Sequence, residues 1–325
     1  MPKELTHWHI ARDVLQRGIP AQIGKIIAGN PALYYLGAIA HDIAFYDLSK
    51  PPEASIERVA NQLHGVQGEN TLVPLIMMIE TALSRKNRHA MLAFLLGMLT
   101  HFVADSSFHP MVYYMSGNYF ADDLGERGKA VFRHRLFETA VDLWLETNEP
   151  LDYPSDLIHL WREAGDHGQE AIELLVGQYA VDGDKRLMTR FKKAWLTHRF
   201  LQTAFRWTIP WRLLALYRRF GHPTAEKQEA LFYPQPLNLN FFEAQLEWCH
   251  PVTGESYVMT VDKLLTVTVE KVQDLFEKLG EQNMEKWSNI LNNIPPLSLD
   301  SGLPYVSVSE MKYFRAEPIE YLLRL

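Results

Sequence analysis

The sequence predicts an all-α protein. Three observations carry this expectation. Apolar residues recur at helical spacing over 6–17, 31–46, 70–85, 89–114 and 126–147. Clear period-2 stretches, which would mark half-buried strands, are scarce. Gly18, Gly29, Gly117 and Gly125 punctuate the periodic segments rather than interrupt them.

Each element has its own signal. Residues 6–17 read THWHIARDVLQR and end before Gly18. Pro31 follows Asn30 and suits the first turn of a helix over 31–46, where its missing N–H costs nothing. The segment 89–114 holds the longest clean apolar run, Ala90 to Leu99, far short of the roughly 20 residues that span a bilayer. Ser256 to Leu265 is the one ambiguous stretch, and it runs into a helical pattern through 284. Loops are expected at 47–53, 115–125, 149–156, 233–240 and 293–304. The composition shifts near residue 150, so we expect a helical core over 1–150 and a helical extension over 151–325. Whether the extension packs on the core as one domain stays open at this point.

The apolar share is 47% and the charged share 22% over 325 residues, which fits a folded chain and excludes global disorder. There are 32 Lys and Arg against 39 Asp and Glu, and the net charge of −7 argues against a nucleic-acid binder. A single cysteine, Cys249, excludes an internal disulfide framework and a multi-cysteine zinc finger, and is expected in the core. The opening MPKELTHWHI lacks a basic stretch leading into an apolar run, so no signal peptide is expected. A cytoplasmic, reducing location follows, with peripheral membrane contact open. Oligomeric state has no signal in the sequence.

Histidine placement is more informative than any total. Eight of the 13 fall before residue 135. In LLGMLTHFVADSSFHP, His101, Asp105 and His109 stand at i, i+4 and i+8, on one helix face. The rest of that helix is apolar, so the stripe should point inward, where unpartnered polar groups are costly and a divalent cation removes the cost. In FRHRLFETAVDLWL, His134, Glu138 and Asp142 repeat the pattern. His7, Asp42 and His64 are the remaining candidates. His9 and His41 sit beside better ones and should point elsewhere; His89, at a helix start, reads as structural. Imidazoles and carboxylates without a thiolate suit Zn²⁺, with Mn²⁺ or Fe²⁺ as alternatives. The four-helix di-iron pattern needs Glu-x-x-His pairs, which this spacing does not supply, so zinc is favoured.

THWHIA, AHD, LHG, AFLLGMLTHFVADSSFHP and HRLFETAVD together resemble the zinc-dependent phospholipase C family over about residues 5–145. The resemblance implies an all-helical fold shared with single-strand-specific zinc nucleases. It also implies two or three zinc ions and hydrolysis of a phospholipid or related phosphodiester by metal-activated water. Carried over by position, Asp42, His64, His101 and Asp105 surround one zinc. His109, His134 and Glu138 surround a second. His7 and Asp105 hold a third, and Asp42 also accepts the proton of the attacking water. Three departures stand out. In secreted members an N-terminal Trp completes the third position, whereas His7 lies six residues after Met1. Asp105 and His109 are closer in sequence than in the best-known secreted enzymes. Choline-selective members carry an aromatic after the first Asp, where this chain has Ile43, so no headgroup is implied.

Between Lys185 and Ala225 there are ten basic residues and no acid, interleaved with Trp195, Phe200, Phe205, Trp207 and Trp211. Two readings stand for 185–225: a packed helix whose arginines pair with the chain's excess acids, or a face for an anionic membrane. Tracking of single-stranded nucleic acid is a third, weakened by the net charge. Two other functions compete with a phospholipase C. An HD-type phosphohydrolase built on His41 and Asp42 leaves His101, His109, His134 and Glu138 unexplained. A non-catalytic helical binding module could keep a metal for stability alone.

Overall fold

A computed structural model describes residues 3–48, 56–154, 156–179, 185–220, 223–317 and 319–323. The fold is all-α. Its helices are α1 (Glu4–Arg17), α2 (Ala21–Ala28), α3 (Pro31–Gly37), α4 (Glu57–His64), α5 (Leu72–Leu83), α6 (Arg88–Ser116), α7 (Leu124–Asn148), α8 (Leu157–Ala164) and α9 (Asp166–Gly177). After these come α10 (Lys185–Ala204), α11 (Thr208–Arg219), α12 (Pro223–Glu229), α13 (Val261–Gly280), α14 (Trp287–Leu291) and α15 (Glu320–Leu323). Among the described residues a single antiparallel hairpin, β1 (Leu246–Cys249) with β2 (Ser256–Met259), lies between α12 and α13.

The centre of the molecule is α6. Its 29 residues are long and apolar enough to cross a membrane, yet the apolar window is wholly buried inside the protein. It is a core helix, against which α1, α3, α5, α7, α9 and α13 all pack. The crossing with α3 is the tightest. A Cβ on Gly37 would overlap the backbone at Phe94, and one on Gly97 would overlap the backbone at Tyr34. Only glycine at both positions lets the two backbones meet, one turn before His101. Pro110 lies inside α6 and has no N–H to give the carbonyl of Ser106. Gly302 (φ 68°) closes over that carbonyl, and a Cβ there would stand 2.5 Å from it. The loop 297–303 is thereby laid on α6.

The segment expected as one helix over 31–46 divides. α3 ends at Gly37, and Ala40–Tyr46 winds as a 3₁₀ turn whose narrower pitch presents Asp42 inward. The ambiguous stretch from Ser256 resolves as β2 followed by α13, capped by Thr260, whose side chain accepts the Lys263 N–H. Cys249 is half-buried at the end of β1 and not in the core, a correction to the sequence expectation. Its side chain lies 3.5 Å from the Ser256 hydroxyl across the hairpin. The expected loop 47–53 falls outside the described residues beyond Leu48, as does residue 155 of the loop at 149–156. One hydrophobic core draws on both halves of the chain, from Leu5 to Leu323.

Candidate metal centre

Five elements bring the candidate ligands together. α1 supplies His7, the 3₁₀ turn Asp42, the last residue of α4 His64, α6 the stripe His101, Asp105 and His109, and α7 His134 and Glu138. All eight side chains are buried. Seven of them form two groups: Asp42, His64, His101 and Asp105 in one, and His109, His134 and Glu138 in the other, each with its ligand atoms within 4.8 Å of one another.

In the first group, Nε2 of His64 lies 3.3 Å from Oδ1 of Asp42 and 3.5 Å from Oδ2 of Asp105. Nε2 of His101 lies 3.6 and 3.0 Å from the same two oxygens. Two ligands on a tetrahedral zinc at about 2.0–2.1 Å are about 3.3–3.4 Å apart, so these separations match the edges of such a polyhedron. In the second group, Nε2 of His134 is 3.0 Å and Nε2 of His109 3.9 Å from Oε1 of Glu138. His109 Nδ1 stands 3.9 Å from Oδ2 of Asp105, which joins the two groups. On the other side of Asp105, His7 Nε2 is 3.3 Å from Oδ1. Asp105 thus lies between both groups and His7. Met1 and Pro2 lie outside the described residues.

Backbone carbonyls fix three of the rings. Nδ1 of His64 faces the Ala60 carbonyl at 2.7 Å, Nδ1 of His101 that of Ala38 at 2.8 Å, and Nδ1 of His109 that of Leu299 at 2.8 Å. An Nδ1–H donated to a carbonyl leaves Nε2 as the lone-pair nitrogen aimed into the group, the tautomer a metal requires. The first contact is an i−4 bond within α4. The second exists because Gly37 and Gly97 let α3 and α6 approach. Nε2 of His64, His101 and His109, Oδ1 of Asp42 and both oxygens of Asp105 are buried without a hydrogen-bond partner among the described residues. Such a convergence of orphaned acceptors is costly in a protein interior, and a divalent cation satisfies all of them at once. The residues present therefore fit zinc.

The electrostatics agree. Burial works against a charge on His64, but the close approach of the negative Asp105 and Asp42 carboxylates outweighs it and pushes its pKa up to about 10. Burial also opposes ionisation of Asp105, yet His101, His109 and His7 hold its carboxyl well below the ordinary range. His7 is lowered to about 4, by burial first and by His101 second. The negative charge that holds a proton on His64 is the charge that attracts a cation, and the two compete for the same lone pair.

The other histidines and Asp142 go elsewhere. His41 stacks on His101 (4.4 Å between centroids, 9° between planes) and stays out of the four-residue set. His7 stacks on the same ring at 4.0 Å. His9 is buried near Glu146, at 3.8 Å, and His89 is exposed. Asp142 continues the stripe of α7 but turns to the start of α1. It accepts the Leu5 and Thr6 N–H groups, the Thr6 hydroxyl and the Tyr233 hydroxyl at 2.6–3.3 Å, and so anchors the turn that carries His7. Three residues absent from the sequence expectation stand at the centre. Asp300 Oδ1 is 3.3 Å from Nδ1 of His109 and accepts the Tyr113 hydroxyl at 2.9 Å. Tyr113 and Tyr119 flank the His134 ring at 4.9 and 5.1 Å.

A family model described as zinc dependent phospholipase C matches residues 6–206, well over half of the chain. The chain belongs to the zinc-dependent phospholipase C family. The matched span contains every candidate ligand from His7 to Glu138 and ends between α10 and α11, so Leu299 and Asp300 lie beyond it. No curated protein and no solved structure matches the chain. Membership of this zinc-dependent family accounts for histidine and carboxylate residues where a helical core would otherwise be apolar.

Proposed function

We propose that the chain is a zinc-dependent phosphodiester hydrolase of the phospholipase C type, acting on a phospholipid or related phosphodiester. Asp42, His64, His101 and Asp105 would hold one zinc, and His109, His134 and Glu138 a second. His7 with Asp105 flanks a third position. The observation that carries this reading is the convergence of buried imidazole nitrogens and carboxylate oxygens on two adjacent points within one family-matched core.

Zinc bound at such ligands acidifies a coordinated water and polarises phosphoryl oxygens. The chain's own residues supply the rest. The three carboxylates of the two ligand groups balance three of the four charges on two divalent cations, which leaves one for a phosphodiester anion. Asp105 is completely buried, whereas the Asp42 side chain retains 7% exposure. Of the two carboxylates in the first group, Asp42 is thus the one that water reaches, and it accepts the proton released in hydrolysis. The Ala38, Ala60 and Leu299 carbonyls keep the three rings from rotating.

The experiment is metal analysis of the purified protein together with hydrolysis of a chromogenic aryl phosphodiester, with and without chelator. At least two zinc ions per chain and chelator-sensitive turnover are expected. A zinc-loaded chain that cleaves no phosphodiester, and whose melting temperature drops on chelation, would make the metal structural and the protein a helical binding module.

A further inference from the structure

The molecule has a second anomaly, opposite in kind to the buried ligands. Eighteen large hydrophobic side chains are exposed among the described residues, and eight of them fall within 196–220. α11 buries none of its residues. Ile209, Leu213, Leu216 and Phe220 stand at i, i+4, i+7 and i+11, one face of the helix and its C-cap, and are 75%, 54%, 47% and 75% exposed. On α10, Leu196 and Phe200 are also exposed, and Phe200 meets Trp207 edge-on at 5.9 Å, which joins the two apolar faces.

The unpaired charges around this face are of one sign. Arg190, Lys192 and Arg218 pair with Asp47, Glu173 and Glu229 from outside the segment, so packing absorbs part of the basic run. Lys193, Arg212 and Arg219 form no ion pair among the described residues, and all three are exposed. Arg212 and Arg219 border the apolar stripe of α11. With Trp211 and Leu216 they line a cleft of about 500 Å³, well apart from the metal ligands. A helix that shows water an apolar stripe edged with arginine is built for the boundary between headgroups and acyl chains. α10 is also seated on the centre's own scaffold. The Tyr46 ring stacks on His198 of α10 at 3.8 Å, and Tyr46 closes the turn that bears Asp42.

We infer that the exposed face of α10 and α11 docks on an anionic phospholipid surface, with Arg212 and Arg219 at headgroup level and the stripe Ile209, Leu213, Leu216 and Phe220 below it. We rest this on the phospholipid reading of the metal centre, and the test separates the two. The full chain, with chelator present to stop hydrolysis, is sedimented with phosphatidylcholine vesicles that contain or lack phosphatidylserine. It should bind the anionic vesicles, and binding should weaken as salt rises. The double variant Ile209→Glu, Leu213→Glu should bind at least tenfold more weakly. Arg212→Gln with Arg219→Gln should lose roughly 25-fold on anionic vesicles, about fivefold per basic residue. Both should hydrolyse the soluble aryl phosphodiester at the unaltered rate. Absence of vesicle binding, or binding that both variants retain, would overturn the inference. So would a concentration-dependent dimer that Ile209→Glu, Leu213→Glu dissociates, because the face would then be covered by a second copy. Vesicle binding without any hydrolysis would remove the catalytic reading and leave this one standing.

Discussion

α6 and α11 invert one another. Inside α6, residues able to hold charge are sealed among Leu, Met and Phe; on α11, Ile, Leu and Phe stand in water. Either arrangement is unfavourable in isolation. Burying carboxylates and imidazoles without partners costs several kcal/mol, and an exposed apolar stripe forgoes roughly 25 cal/mol for each Å² left in water. A folded chain carries such costs where something outside the polypeptide relieves them. For α6 we propose a cation, and for α11 a phospholipid surface. The difference also shows where a sequence becomes informative: a residue in the environment that does not suit it is the one to question.

The largest effect expected is at Asp105. Asp105→Asn removes the carboxylate that lies between both ligand groups and His7. Loss of a residue that merely supports a ligand costs about 10–100-fold in metal affinity, so loss of this one should exceed 100-fold. Zinc per chain, measured by elemental analysis, should fall by at least one ion, and turnover of the aryl phosphodiester should disappear. Retention of the full zinc content would show that the buried charge of α6 is balanced by protons, and the contrast with α11 would lose its basis.

Next comes the buried acid that ties the two regions together. Glu4 on α1 accepts from Tyr46 at 2.8 Å and pairs with His198 of α10 at 2.7 Å. Burial alone would raise its pKa, but His198 overrides that and holds it at about 2, below the ordinary 4.5. A depressed carboxyl contributes stability that is fully present above about pH 4.5 and is lost as pH falls toward 2. The shift corresponds to about 3 kcal/mol. Glu4→Gln should therefore lower stability at neutral pH and flatten the acid limb of a denaturation series over that window. An acid limb identical in the two proteins would exclude the pair as the link.

Much of this was legible in the sequence, because helical spacing fixes which side chains share a face. The stripe His101, Asp105, His109 and the pair His134, Glu138 lie in the structure as i, i+4 spacing places them. What spacing cannot report is a change of direction beyond the last turn: Asp142 leaves its stripe because the N–H groups at the start of α1 need an acceptor. Nor does spacing see contacts across long separations. Asp300 sits in PLSLDSGLPY, an unremarkable loop in the sequence, and reaches His109 only because Pro110 and Gly302 let that loop lie on α6. The hairpin of β1 and β2 was hidden for a similar reason, since four-residue strands alternate over too short a span to outweigh the helix that follows. A smaller effect follows for Asp300. It supports His109 without belonging to either ligand group, so Asp300→Asn should weaken zinc by about 10–100-fold at the second group alone. Competition with a graded chelator would read this as one weakened ion. Equal weakening of every ion would mean that the loop acts on the whole fold.

The smallest effect is the sharpest test of the inversion, because it is expected to be close to nothing. Leu99 in α6 is 1% exposed, and Leu213 in α11 is 54% exposed. Truncation of a buried leucine removes its transfer free energy and leaves a cavity, so Leu99→Ala should cost about 2–5 kcal/mol in urea denaturation. Leu213→Ala opens no cavity and removes only surface already in contact with water, so its cost should stay within about 0.5 kcal/mol. If α11 were part of the packed core, Leu213→Ala would instead approach the Leu99→Ala value. A near-zero stability effect together with weaker vesicle binding would place the role of Leu213 outside the folded chain. A near-zero effect on both would leave the exposed stripe of α11 without a function.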